Sequence, residues 1–200
     1  MKEFTGKITA ISAVLVAVVS LSGCATSATS ADVDKHTAQA LAAPGETVVF
    51  GKFRLIRNGE EAHIDNGFLS TSATLYLRQA GESGKIVGKV GEEGEFAWAL
   101  EPGNYRVSSI SFSNRGERVE PITNFSFSVS GDTEALYIGT VTLETSFDSG
   151  FYGLNGVVDG YSVRNDCSSD CAARLERLGL AASDASISLL VEPNPMASIN

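Results

Sequence analysis

Two hundred residues carry a formal net charge of -9, with 43% apolar residues, 20% charged residues, 20 Gly, 3 Cys and 2 His. That length bounds the chain to one sizeable domain with a core of its own. The acidic balance excludes the strongly basic surface that nucleic-acid binding requires, and two His leave too few ligands for His-rich metal sites. Gly stands above its usual ~7% and favours a turn-rich, strand-rich chain over a helical bundle.

The N-terminus reads as an address. Lys2 and Lys7 precede an uncharged apolar run from Ile8 to Leu21, which has a signal-peptide profile and is too short for a permanent membrane span. Leu21, Ser22, Gly23 and Cys24 follow. These four residues resemble the lipobox of bacterial lipoproteins. The resemblance implies cleavage after residue 23, lipid on Cys24 as the only non-protein group, and attachment to a membrane through that lipid. Ala25, rather than Asp, follows the cysteine, and in a Gram-negative source this implies the outer membrane, facing the periplasm. Residues 24–44 are rich in Ala, Ser and Thr, with a weakly helical patch from Val33 to Ala43. As a flexible tether they would span about 25 Å.

Beyond Gly45 the pattern changes to short alternating runs divided by Gly, Asn, Asp and Pro, which is the strand signal. Strands are expected near Thr47–Arg57, Thr71–Arg78, Lys85–Val90, Glu95–Leu100, Tyr105–Phe112, Ile122–Ser130, Ala135–Leu143, Leu154–Arg164 and Ser186–Glu192. Their number and spacing predict an all-β, antiparallel sandwich over residues 45–192, prealbumin-like or Ig-like Greek key, followed by a disordered tail at 193–200. Alternation assigns faces: Phe96, Trp98 and Leu100 point one way, as do Phe125, Phe127 and Val129, and these are core faces. Leu75 and Leu77 oppose Tyr76 and Arg78. Tyr105 and Val107 share one parity while Ile110 and Phe112 share the other, so burying all four requires an extra residue, a β-bulge, near Ser108 and Ser109.

The segment Gly94, Phe96, Trp98, Leu100, Pro102, Gly103, Tyr105 has the spacing G-x-F-x-x-x-L-x-P-G-x-Y, which resembles the hallmark of carboxypeptidase regulatory-like, or prealbumin-like, sandwich domains. Phe96 and Leu100 are expected to fill the core, Pro102 and Gly103 to form a type II turn, and Tyr105 to start the antiparallel partner strand. Such a domain implies little about function.

Cys167 and Cys171 lie at the start of the one helical stretch, Ser168 to Leu178, which Gly179 ends. Cys171, Leu175 and Leu178 share a face that can lie on the sandwich. In an exported chain the pair reads as a disulfide, reached by slight unwinding of the first turn. A redox pair would want the two-residue spacing that is absent here, and zinc would want two more ligands.

Gly-rich phosphate loops, His-Glu-x-x-His and Gly-x-Ser-x-Gly are absent. The best polar cluster is a loop at Asn58–Asn66 holding Glu60, Glu61, His63 and Asp65, where a general acid/base pair or a Ca²⁺ site is conceivable, although polar loops collect such residues simply by facing water and the EF-hand spacing is missing. No metal site is expected. Two functional classes follow. One is a lipid-anchored, non-enzymatic sandwich that binds an envelope protein or a glycan, or acts as a spacer. The other is an envelope enzyme or enzyme accessory using the acidic loop from Glu60 to Asp65.

Overall fold

The computed structural model describes residues 42–65, 71–114, 117–150, 153–167, 170–181, 183 and 185–191. The signal segment, Cys24, nearly all of the tether and the C-terminal tail lie outside the described residues, as does most of the helical patch expected at Val33 to Ala43.

Among the described residues the elements run in the order β1 (Thr47–Arg57), β2 (Glu60–Ala62), β3 (Ser72–Gln79), β4 (Ile86–Lys89), β5 (Glu95–Leu100), β6 (Gly103–Asn114), β7 (Glu117–Val119), β8 (Ile122–Val129), β9 (Ala135–Gly150), β10 (Gly153–Arg164), α1 (Asp170–Arg177) and β11 (Ala185–Ile187). The first sheet has the order β10-β9-β1-β2, with β5 also pairing β1 and β11 also pairing β9. The second has the order β4-β3-β6-β7, with β8 also pairing β6. The all-β sandwich is thus as the alternation requires. Two pairings depart from a purely antiparallel design: β1 and β11 both run parallel to β9.

The inter-sheet core takes every second residue. Val49, Phe53 and Leu55 of β1 and Phe96, Trp98 and Leu100 of β5 meet Leu75, Leu77, Phe125, Phe127 and Val129 of the second sheet. The bulge is at Ser108: Tyr76 pairs Ser109 while Leu77 pairs Val107. That one extra residue lets Tyr105, Val107, Ile110 and Phe112 all stay buried. The Ser108 hydroxyl donates to the Tyr76 carbonyl at 3.1 Å, satisfying an acceptor beside the break in the ladder.

The motif from Gly94 to Tyr105 does different work from the hairpin expected of it. β5 and β6 lie in opposite sheets, so Tyr105 does not start a partner for β5; its strand pairs β3 and β8. Gly103 lacks the positive φ of a type II turn and already belongs to β6. The chain crosses between sheets here, and the Tyr105 hydroxyl donates back to the Glu101 carbonyl at 2.8 Å, a tyrosine corner that fixes the crossing. Gly94 has φ +83, and a Cβ there would sit 2.2 Å from the Phe53 carbonyl oxygen. Only glycine lets the turn into β5 come so close to β1.

Helix α1 makes a third layer on the outer face of the first sheet. Cys171, Leu175 and Leu178 pack with Leu180 on Val48, Phe50, Ala97, Ala135 and Tyr137, and Ala42 joins the same cluster. Gly179, at φ +72, ends the helix. Its N–H reaches the Glu176 carbonyl at 3.0 Å and the Leu180 N–H reaches that of Leu175 at 2.8 Å, a Schellman motif closed by the Leu175–Leu180 apolar contact.

Candidate functional site

Outward positions of β1 carry Lys52 and Arg54 beyond the area that α1 covers, because Val48 and Phe50, on the same parity, lie under the helix. The segment expected to be a loop turns back on β1. Asn58 and Gly59, at φ 50 and 83, form the tight turn that an Asn-Gly pair favours, and Glu60–Ala62 then pair with Arg57, Ile56 and Leu55. Register sets Glu61 opposite Ile56, and so on the face of Arg54. A cleft of about 360 Å³ opens there between β1, β2 and the turn before β5, lined by Lys52, Arg54, Glu61, His63, Glu92 and Glu93 among others.

Of the four residues singled out from sequence, the structure brings Glu61 and His63 to this cleft. Glu60 is exposed at the start of β2, on the face opposite to that of Glu61, and Asp65 is exposed beyond Ile64, its backbone N–H bonded to the Thr71 carbonyl at 3.1 Å. Glu61 is fully engaged. Arg54 grips both of its carboxylate oxygens, Nε to Oε1 at 2.9 Å and Nη2 to Oε2 at 2.6 Å. This two-pronged bond, opposed by some burial, holds the Glu61 carboxyl below its ordinary range and raises Arg54. A carboxylate so fixed is a charge and an anchor rather than a proton carrier near neutrality. Lys52, Glu92 and Glu93 were not evident as site residues, because they come from β1 and a distant turn. The one sequence signal available was the even parity that puts Lys52 and Arg54 on a single face.

The second polar assembly lies under the helix. Glu95 is 5% exposed and Arg174 is 5% exposed. Arg177 Nη2 donates to Glu95 Oε1 at 2.5 Å, Arg174 Nε lies 3.7 Å from the same oxygen, and Arg177 Nη1 reaches Glu93 at 3.3 Å. Nearby, Asp166 accepts from the hydroxyl of Tyr137 and from that of Thr140, the latter at 2.7 Å. The expected disulfide is present: Cys167 and Cys171 are joined, with Cα atoms 4.7 Å apart, at the turn that carries Asp166 into the helix. Among the described residues no group of three His, Cys, Asp or Glu side chains converges to hold a metal ion. The arrangement therefore offers a polar cleft with both charge signs on its walls beside a helix pinned by ion pairs and a disulfide. No protein-family model matches this chain, and no curated protein or solved structure is found similar to it.

Proposed function

We propose that the protein is a lipid-anchored envelope protein, attached to the cell membrane through Cys24, to the outer membrane if the source is Gram-negative, whose β-sandwich, prealbumin-like or Ig-like, is a non-enzymatic binding, spacer or assembly module. The observation that carries this reading is where the tether meets the body. Ala42 packs in the helix cluster beside the start of β1, and the Ala43 N–H is capped by Glu46 at 2.7 Å. The cleft of Lys52, Arg54, Glu61 and His63 opens toward the other end of that strand. A chain held at the first end presents the second to the surrounding compartment. Several acyl chains on one cysteine hold such a body without any membrane helix, at ~0.8 kcal/mol per buried CH₂.

Cys24→Ala tests the anchor: the expected result is an unprocessed precursor that takes up no labelled palmitate, and normal-sized labelled protein would overturn it. Recovery of a specific envelope protein or glycan by the immobilised body is expected of a binding module. The enzyme reading draws on the meeting of Glu61 and His63 in one cleft. It requires that the Glu61→Gln, His63→Ala double variant lose the phenotype that deletion of the gene abolishes.

A further inference from the structure

The outer face of the second sheet carries a charge pattern at odds with the chain as a whole. Strands β3, β4, β6 and β8 contain Arg78, Lys89 and Arg106 and not one Asp or Glu, in a chain with 24 acidic residues against 15 basic ones. The sheet's carboxylates are Glu117 in the short strand β7 and Glu120 just after it, which accepts from Ser109 and lies 3.9 Å from Lys85. Arg78 and Arg106 are register partners on adjacent antiparallel strands. Both point outward, since Leu77, Tyr105 and Val107 on either side of them point into the core. Two like charges directly opposite each other destabilise a sheet. Elsewhere this protein answers its arginines with carboxylates, as at Arg54–Glu61 and Arg177–Glu95. Among the described residues, by contrast, neither Arg78 nor Arg106 has a hydrogen-bonded or ionic partner. An uncompensated pair of this kind is a standing cost that a bound anion would remove.

We propose that the Arg78–Arg106 doublet is an anion subsite, and that the outer face of the second sheet binds an acidic polysaccharide whose carboxylates the doublet pairs. Each guanidinium offers a fork that matches one carboxylate. The two side chains leave adjacent strands about 4.8 Å apart, so both forks can engage the acidic groups of one chain lying on this face. Asn104, Ser126 and Ser128 flank the doublet on the same face and supply neutral hydrogen-bonding groups suited to sugar hydroxyls. Exposed Glu82 and Glu101 border it at the ends of β3 and β6. This inference deepens the binding-module reading and names its ligand class, and it does not depend on the lipid.

The test uses the full-length protein in non-ionic detergent, with polygalacturonate as probe, neutral dextran as control, and mixed micelles of that detergent with phosphatidylglycerol, compared with phosphatidylcholine, as the lipid arm. Binding to polygalacturonate, weakening with salt, is expected. Arg78→Gln with Arg106→Gln should weaken it at least tenfold and flatten its salt dependence, while Arg164→Gln, on the other sheet, leaves it within twofold of Arg164. Thermal melting separates this from misfolding, because relieving the like-charge pair should leave the melting temperature equal or raised. Unchanged polygalacturonate binding in the doublet variant overturns the inference, as does the absence of polygalacturonate binding, including where the protein prefers phosphatidylglycerol over phosphatidylcholine micelles and the doublet variant loses that preference. Recovery of an envelope partner through another face, with the doublet variant unaffected, overturns it too but leaves the binding-module reading standing.

Discussion

The Tyr105 hydroxyl donates to the Glu101 carbonyl at 2.8 Å while its ring stacks on Phe127, centroids 5.6 Å apart. One side chain thus ties the crossing between sheets to the core of the second sheet. Tyr105→Phe keeps the ring and removes the bond, leaving a carbonyl at the corner without its donor. The expected loss is about 1 kcal/mol, read as a lower urea midpoint with an unchanged slope. An unchanged midpoint would mean that the corner is held by Pro102 and the sheets alone.

Much of this fold was legible because burial enforces period two. Phe96, Trp98 and Leu100 could be assigned inward without a structure, and the parity break at Ser108 announced its bulge. Long-range choices left weaker traces. Nothing local in Pro102-Gly103 distinguishes a hairpin from a crossing between sheets, and the parallel pairing of β1 with β9 joins residues more than eighty positions apart. The cleft was half legible for the same reason: Glu61 and His63 stood out in a polar run, whereas Lys52 and Glu92 reach it only through the fold.

Gly94 and Gly59 share a φ of +83 but differ in surroundings. A Cβ at Gly59 meets nothing within 4 Å, whereas at Gly94 it would stand 2.2 Å from a backbone oxygen that cannot swing aside. Gly59→Ala should cost about 1 kcal/mol for the left-handed backbone alone. Gly94→Ala adds displacement of β5 from β1 and should cost about 3 kcal/mol. Equal losses in a thermal or urea series would show that the turn into β5 can relax.

Burial, with Glu101 and Glu46 nearby, pushes the Tyr105 hydroxyl up to about 12, and burial with the Asp166 hydrogen bond does the same at Tyr137. Folded values above the unfolded one near 10 mean that the native state holds these protons more tightly. Their contribution is therefore complete below about pH 10 and is lost as pH rises from about 10 to about 12. Asp166 has the opposite sign. Burial would raise it, but hydrogen bonds from Tyr137 and Thr140 and the charge of Arg174 together hold it below its ordinary value. Its contribution is present above about pH 4 and is lost as pH falls through the lowered value. Urea midpoints should therefore fall at both ends of the pH range, and Tyr105→Phe should shrink the alkaline fall. An alkaline limb identical in that variant would contradict the assignment.

The Cys167–Cys171 bond closes a loop with a sequence separation of 4, so its effect on the unfolded chain is small, about 2 kcal/mol on chain-entropy grounds. Its effect should also be local. Cys171 is buried against the first sheet, and Asp166, which Tyr137 and Thr140 engage, immediately precedes Cys167. Reduction should raise amide exchange in residues 170–180 while leaving β3, β6 and β8 protected. Uniform loss of protection across both sheets would instead make the helix layer part of the cooperative unit.

Glu95 is the one carboxylate in β5, and it is 5% exposed on the outer face of the first sheet. Two guanidiniums meet it, one of them from the buried side chain of Arg174. Glu95→Ala removes the carboxylate that Arg174 and Arg177 share beside the small cavity under the helix, which Phe50, Phe96 and Leu178 also line. Removing one partner of a buried ion pair costs about 3 to 5 kcal/mol. Arg177→Ala should cost less, about 1 kcal/mol, because its side chain is 45% exposed and Arg174 remains beside Glu95. The ordering of the two variants carries the argument. If Arg177→Ala proved as damaging as Glu95→Ala, the 2.5 Å bond would be holding α1 in place, with Arg174 a bystander. If Glu95→Ala were mild, the helix would rest on its apolar face of Cys171, Leu175 and Leu178 alone.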